Sequence, residues 1–228
     1  QRKEDNFNGP VRAQIPFAIN GQYSLRIVDL LTLTNLEHLE GSAAKFLLEP
    51  SVQAGRLHGA PPSIRYIRNT NGVVVPKDDI SLQLLTVYAH IERLQDLDSK
   101  VGAQGVLRYP RTVAVNAEYR TDEGELENNA LYSGQYDTLL FVPYTQSALP
   151  IMANGGIIGH EHFHALFHKL VIEPLGKKYP NYQEPTPHPD HRLQEAMGLS
   201  DLGLTAMDRS KTRAAATPGE IRERYHAM

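Results

Sequence analysis

The sequence predicts an α+β protein, with strands concentrated in its first third and helices from the middle onward. Three observations predict it. Strand formers Ile64, Tyr66 and Val73 to Val75 flank an Asn71-Gly72 pair, a strong hairpin-turn signal. Ile80, Leu84, Val87, Ile91, Leu94 and Val101 fall on a helical rhythm over about five turns. A third apolar stretch, 157–172, follows Asn154-Gly155-Gly156 and runs up to Pro174 and Gly176, which are expected to stop it as a helix.

In chain order, residues 1–77 read as a strand-rich region of short strands and turns, a twisted antiparallel sheet in which Leu25 and Ile27 alternate with polar neighbours. Residues 78–176 form the second region. Asp78 or Asp79 can cap the long helix by accepting from its unpaired first N–H groups, and Gly102 is its expected stop. Residues 111–119 then read as a strand, and 128–143 as a turn followed by a second strand. Residues 177–228 form a third, helical part. A loop rich in Pro and His precedes a helix starting near Asp190 and carrying Leu193, Met197 and Leu204, in which Gly198 and Gly203 weaken helix propensity. The tail is polar, with a short helix expected after Thr217-Pro218-Gly219-Glu220.

Composition narrows the function. With 41% hydrophobic residues and a net charge of -3 from 23 basic and 26 acidic side chains, the chain has the balance of one or two globular domains. It lacks the basic excess expected of a general nucleic-acid binder. No apolar run approaches the roughly 20 residues that span a bilayer, so no membrane span is expected. A first residue of Gln reads as a processed or truncated product. There is no cysteine, so any metal must be held by His, Asp or Glu.

The candidate chemistry lies in His160-Glu161-His162-Phe163-His164, an H-E-x-x-H pattern on the third apolar stretch. Positions i and i+4 stand one above the other on a helix, so His160 and His164 can aim ring nitrogens at one ion. Glu161 sits about 100° around from His160, within reach of a water in the ion's open position without being a ligand itself. A hydrolytic zinc site needs this arrangement, because the metal acidifies a water and the carboxylate takes its proton. Ile157, Ile158, Phe163, Leu166 and Phe167 make the helix mostly apolar, and two His and a Glu buried there are costly unless something pairs with them.

A third ligand must come from elsewhere. His168 drifts around the helix from the other two and, with His162, reads as structural or exposed. Glu195, 31 residues after His164, can be delivered side-on by a second helix. Asp201 is the alternative, as ligand or as a partner orienting an imidazole. Asp190, His188 and His191 lie in the intervening loop and could also approach the metal.

With these residues in hand, the chain resembles the thermolysin-like and fungalysin-like zinc metallopeptidases, the gluzincins, in which H-E-x-x-H is completed by a downstream Glu. The resemblance covers roughly residues 78–203 and includes the order of long helix, strand, Asn129-Ala130-Leu131-Tyr132-Ser133-Gly134, short strand ending near Pro143, and metal helix. It implies a zincin-like fold with a strand-rich N-terminal part, a long helix, an active-site helix and a short helical C-terminal part. It also implies one zinc ion on His160, His164 and Glu195, Glu161 as the catalytic base, and Asn129 and Ala130 on an edge strand that binds a polypeptide substrate. An extracellular or cell-envelope location is implied as well. Two departures stand out. Glu195 and Asp201 are six apart where the family has E-x-x-x-D, so aligning Ser200-Asp201-Leu202-Gly203 would put Met197 at the ligand position. The chain also ends 64 residues after His164, so the family's helical second domain is expected to be short or missing. Tyr179, Tyr182, Tyr225 and His226 remain candidates for its oxyanion-stabilising groups. A calcium ion would need clustered acids, and Asp122-Glu123-Gly124-Glu125 with Glu127 reads rather as a solvated turn. Two alternatives share the motif: a zinc-binding adhesion or interaction module with reduced catalysis, and an amidohydrolase acting on a non-protein amide.

Overall fold

A computed structural model describes residues 10–19, 22–53, 55–121, 124–146, 150–178, 199–200 and 204–205. The chain divides into two compact units, Gln1–Leu166 and Phe167–Met228.

The first unit is mixed α and β. Its strands are β1 (Val11–Ile19), β2 (Gln22–Leu30), β3 (Leu33–Asn35), β4 (Glu40–Gly41), β5 (Ala44–Gln53), β6 (Arg56–Ala60), β7 (Tyr66–Arg68) and β8 (Val74–Pro76). Helix α1 (Asp79–Lys100) follows, then β9 (Arg111–Val115), β10 (Arg120–Thr121), β11 (Gly124–Glu125), β12 (Ala130–Ser133) and β13 (Thr138–Phe141). Helix α2 (Gly155–Phe167) carries the H-E-x-x-H motif.

Two larger sheets form. One has the order β2-β1-β8-β7 and the other β12-β13-β9-β5-β6. The expectation of one antiparallel sheet over residues 1–77 is corrected here. β8 lies parallel to β1, and β5 and β6 leave for the second sheet, where β5, β9 and β13 run parallel with antiparallel strands at both edges. Alternation along a strand states which face is buried but not which strand pairs with it. The Asn71-Gly72 turn does form: the Asn69 side chain accepts from the Asn71 and Val73 N–H groups, and Gly72 takes φ 75°. The stretch 128–143 also differs from expectation, because its first half is itself a strand, β12, hairpinned to β13. β9 stops at Val115 rather than reaching Tyr119.

Helix α1 is held at both ends and along one face. Asp78 is its N-cap, accepting from the Ser81 N–H at 2.9 Å, and Gly102 leaves it at φ 81°. Burial alone would raise the Asp78 pKa, but the Ser81 bonds and the Arg65 guanidinium outweigh it and hold the carboxyl below its ordinary range. Leu84, Leu85, Val87, Tyr88 and Ile91 are buried in the main core with residues of both sheets. Val101, by contrast, is exposed just past the helix end. Glu92 accepts from the N–H groups of Leu31 and Thr32 and from the Thr32 hydroxyl, fixing the β2–β3 corner to α1. Gly41 is a steric requirement there: a Cβ would lie 2.1 Å from both the Thr32 carbonyl oxygen and the Tyr88 hydroxyl.

The second unit, taken by itself, corrects a further expectation. Pro174 and Gly176 do not stop the helix: a π-helical turn over His168–Ile172 leads into α3 (Glu173–Lys178). The Glu173 N–H reaches back five residues to the His168 carbonyl. This wider turn relieves the clash that a proline ring makes with the carbonyl four residues before it. Glu173 pairs with Lys169 and lies 3.7 Å from His168 Nδ1. A two-residue antiparallel pair, β14 (Leu199–Ser200) with β15 (Leu204–Thr205), corrects the expectation of a helix carrying Leu204, which lies on a strand here; Leu193 and Met197 lie outside the described residues.

Candidate metal centre

Helix α2 begins at a built junction. The Asn154 side chain accepts from the Gly156 N–H at 2.9 Å, satisfying one of the donors that a helix start leaves open. Gly155 has no room for a side chain, since a Cβ would stand 2.3 Å from Cε1 of His90 on α1. The start of α2 therefore rests directly on the His90 ring.

One helical turn further on, the motif residues converge. The Nε2 atoms of His160 and His164 are 2.9 Å apart, with their rings edge to face. Among the described residues, His160, Glu161 and His164 form a group whose donor atoms all lie within 4.8 Å of one another, and this group could hold a metal ion. Glu161 is buried, and both imidazoles are half-buried. The donor set fits a zinc-type ion. Two nitrogens at about 2.0–2.1 Å from a tetrahedral ion stand roughly 3.3 Å apart, which a small ring rotation from the observed spacing provides.

His162, facing the opposite way on α2, is buried at 3% exposure, as the structural reading of that residue requires. Its Nε2 lies 2.9 Å from Asp98 Oδ1, on the last turn of α1. The other oxygen of Asp98 accepts from the Tyr109 hydroxyl at 2.9 Å. Burial, and then the Asp98 charge, push the Tyr109 phenol well above its ordinary pKa, so it remains a donor.

The strand expected to bind a substrate is β12, in the larger sheet. β12 ends the strand order among the described residues, and Ala130 pairs with Phe141. The Val142 N–H donates to the Asn129 carbonyl, and the Phe141 carbonyl accepts from Ala117 on the far side of β13. By antiparallel alternation, the main-chain groups of Ala130 and Tyr132 then face away from β13 along the edge. The Asn129 side chain accepts from the Ala130 N–H at 2.8 Å. Ala130 shares the main core with Ile158 of α2. The hairpin turn is pinned from beneath: Arg111, at 1% exposure, donates to Asp137 at 2.9 Å, and the Tyr132 hydroxyl donates to the same oxygen.

Glu195, Asp201, Met197, Asp190, His188 and His191 lie outside the described residues, as do Asp122, Glu123, Tyr179, Tyr182, Tyr225 and His226. The structure thus brings together His160, Glu161 and His164, and places Ala130 at the start of edge strand β12 with Asn129 just before it. Sequence reasoning missed Asp98, Tyr109 and His90. Asp98 was detectable in principle, because it falls seven residues after Ile91 and four after Leu94, on the apolar stripe of α1 where a carboxylate is out of place.

His90 also supplies a pH signature. Burial, and then the Arg93 guanidinium, lower its pKa from 6.5 to about 4. The folded state therefore holds His90 neutral where the unfolded chain would already be protonated. Stability from this group is complete above about pH 6.5 and declines as pH falls through 4, by roughly 3–3.5 kcal/mol in all. Urea unfolding at pH 7 and pH 4.5 should show most of that loss, with a shallower pH dependence in His90→Gln.

No protein-family model matches the chain, and no curated protein matches it significantly.

Proposed function

We propose that the chain is a zinc-dependent endopeptidase of the gluzincin type with a zincin-like fold. The observation that carries the reading is the convergence of His160, Glu161 and His164 on one half-buried face of α2. The edge position of β12, antiparallel to its neighbour in an otherwise largely parallel sheet, supports it. His160 and His164 would hold the ion, with Glu195 as the third ligand. The ion, when bound, supplies electrophilic polarisation of a carbonyl and acidification of a water. Glu161 takes the water's proton as the new C–O bond forms, then passes it to the amide nitrogen as the C–N bond breaks. As an edge strand, β12 is where an extended polypeptide would add by strand pairing, with the Asn129 side chain giving up the Ala130 N–H as it does so. An extracellular or cell-envelope location goes with this reading. No helix among the described residues is long and apolar enough to cross a membrane.

The test is hydrolysis of an unfolded, fluorescently labelled protein. Cleavage is expected, is lost on treatment with a zinc chelator, and returns on adding zinc. A folded, zinc-loaded chain that leaves polypeptides intact contradicts the peptidase reading and favours a binding module or an amidohydrolase.

A further inference from the structure

We infer that Asp98 is a positioning residue for the metal centre, setting the rotation of α2 through His162 so that His160 and His164 share one focus. The inference rests on the metal-binding reading of those two imidazoles and adds a residue on another helix to it.

Three observations carry it. First, His162 lies two residues from each candidate ligand, about 200° around the helix, so it reports the phase of α2 from the opposite side. Second, its tie to Asp98 is its only one among the described residues: Nε2 meets the carboxylate at 2.9 Å, while Nδ1 is buried with no hydrogen-bond partner. With one ring nitrogen bonded and the other buried, this single contact sets the orientation of the ring. Third, Asp98 is itself fixed by the Tyr109 hydroxyl and buried at 4% exposure, so the anchor does not follow the helix if the helix turns.

The second attachment of α2 to α1, His90 under Gly155, restrains it differently from Asp98. His90 precedes Asp98 on α1 as Gly155 precedes His162 on α2, so the helices run side by side in the same direction. The Gly155 contact sets how closely α2 approaches, and Ile158 and Ala165 bury apolar surface, but none of these contacts is directional, so they hold rotation about the helix axis less tightly than a hydrogen bond does. With side-chain atoms about 5–6 Å from the axis, a rotation of about 20° moves a ring nitrogen by about 2 Å. Metal ligands tolerate only about 0.2 Å. A directional bond on the back of α2 is what such a site requires.

The test compares the wild-type chain with Asp98→Ala, Asp98→Asn and, as a control, Tyr88→Phe, which loses a bond to Thr32 elsewhere on α1. Zinc affinity is measured by competition with a chromophoric chelator, ligand geometry by the visible absorption of the cobalt(II) form, and folding by circular dichroism. Asp98→Ala is expected to stay folded, to bind zinc roughly 10–100-fold more weakly and to show an altered cobalt spectrum. Asp98→Asn keeps one oxygen for His162 and should lose less. Tyr88→Phe should match the wild type. If Asp98→Ala does not fold, the isosteric Asp98→Asn decides, with weakened zinc binding supporting the inference. Folded Asp98 variants with wild-type affinity and spectrum overturn it, as does an equal loss in Tyr88→Phe, which would mark a general effect of stability. A wild-type chain that binds no zinc would instead overturn the metal reading beneath it.

Discussion

Replacing Glu161 with Gln is expected to lower the turnover of a polypeptide substrate by roughly 10²–10⁴-fold while leaving the bound metal in place. The two properties separate because the residues do different things. His160 and His164 supply the converging nitrogens, whose lone pairs the ion would occupy, whereas Glu161 is the only carboxylate among the three and is assigned the water's proton. Glu161 is buried at 6% exposure, so the substitution must preserve volume to be informative, and Gln does. It leaves no void and keeps a hydrogen-bonding end, but an amide cannot accept a proton near neutral pH. Steady-state hydrolysis and the zinc content of the same preparation check this together. Full activity in Glu161→Gln would remove Glu161 from the chemistry, and loss of the metal would make it a ligand instead.

Helix α1 was legible in the sequence because independent signals agree on it: Asp78 at its N-cap, the rhythm from Leu84 to Ile91, and Gly102 just beyond its end. The β12–β13 hairpin was half legible. Phe141 and its neighbours are fully buried and read as a strand, but Leu131, Tyr132 and Ser133 are all partly buried, so β12 shows no alternation to betray it. The parallel pairing of β1 with β8 was not legible at all. It depends on which distant segments meet, and local periodicity is silent about that.

The convergence of the H-E-x-x-H group was legible because it follows from helix geometry alone, with both imidazoles on one face at a spacing any α-helix provides. Its supports were not. The contact between His162 and Asp98 joins residues 64 apart, and the need for Gly155 appears only once the His90 ring is placed against it. Glu195 rests on the resemblance and on the reach of a second helix.

Zinc titration of the wild-type chain beside a variant carrying His160→Ala and His164→Ala tests the central claim most directly. Structural zinc sites bind with about 10–16 kcal/mol over four ligands, so each imidazole is worth roughly two to three orders of magnitude in affinity. The pair lies on a helix whose buried contacts run through Ile158, Glu161, His162 and Ala165, so the variant should keep its fold, as circular dichroism would show. The account predicts one equivalent of tightly held zinc per wild-type chain and an affinity at least about 10⁴-fold weaker in the folded variant. A wild-type chain that takes up no zinc, or a double variant that holds it equally well, would contradict it.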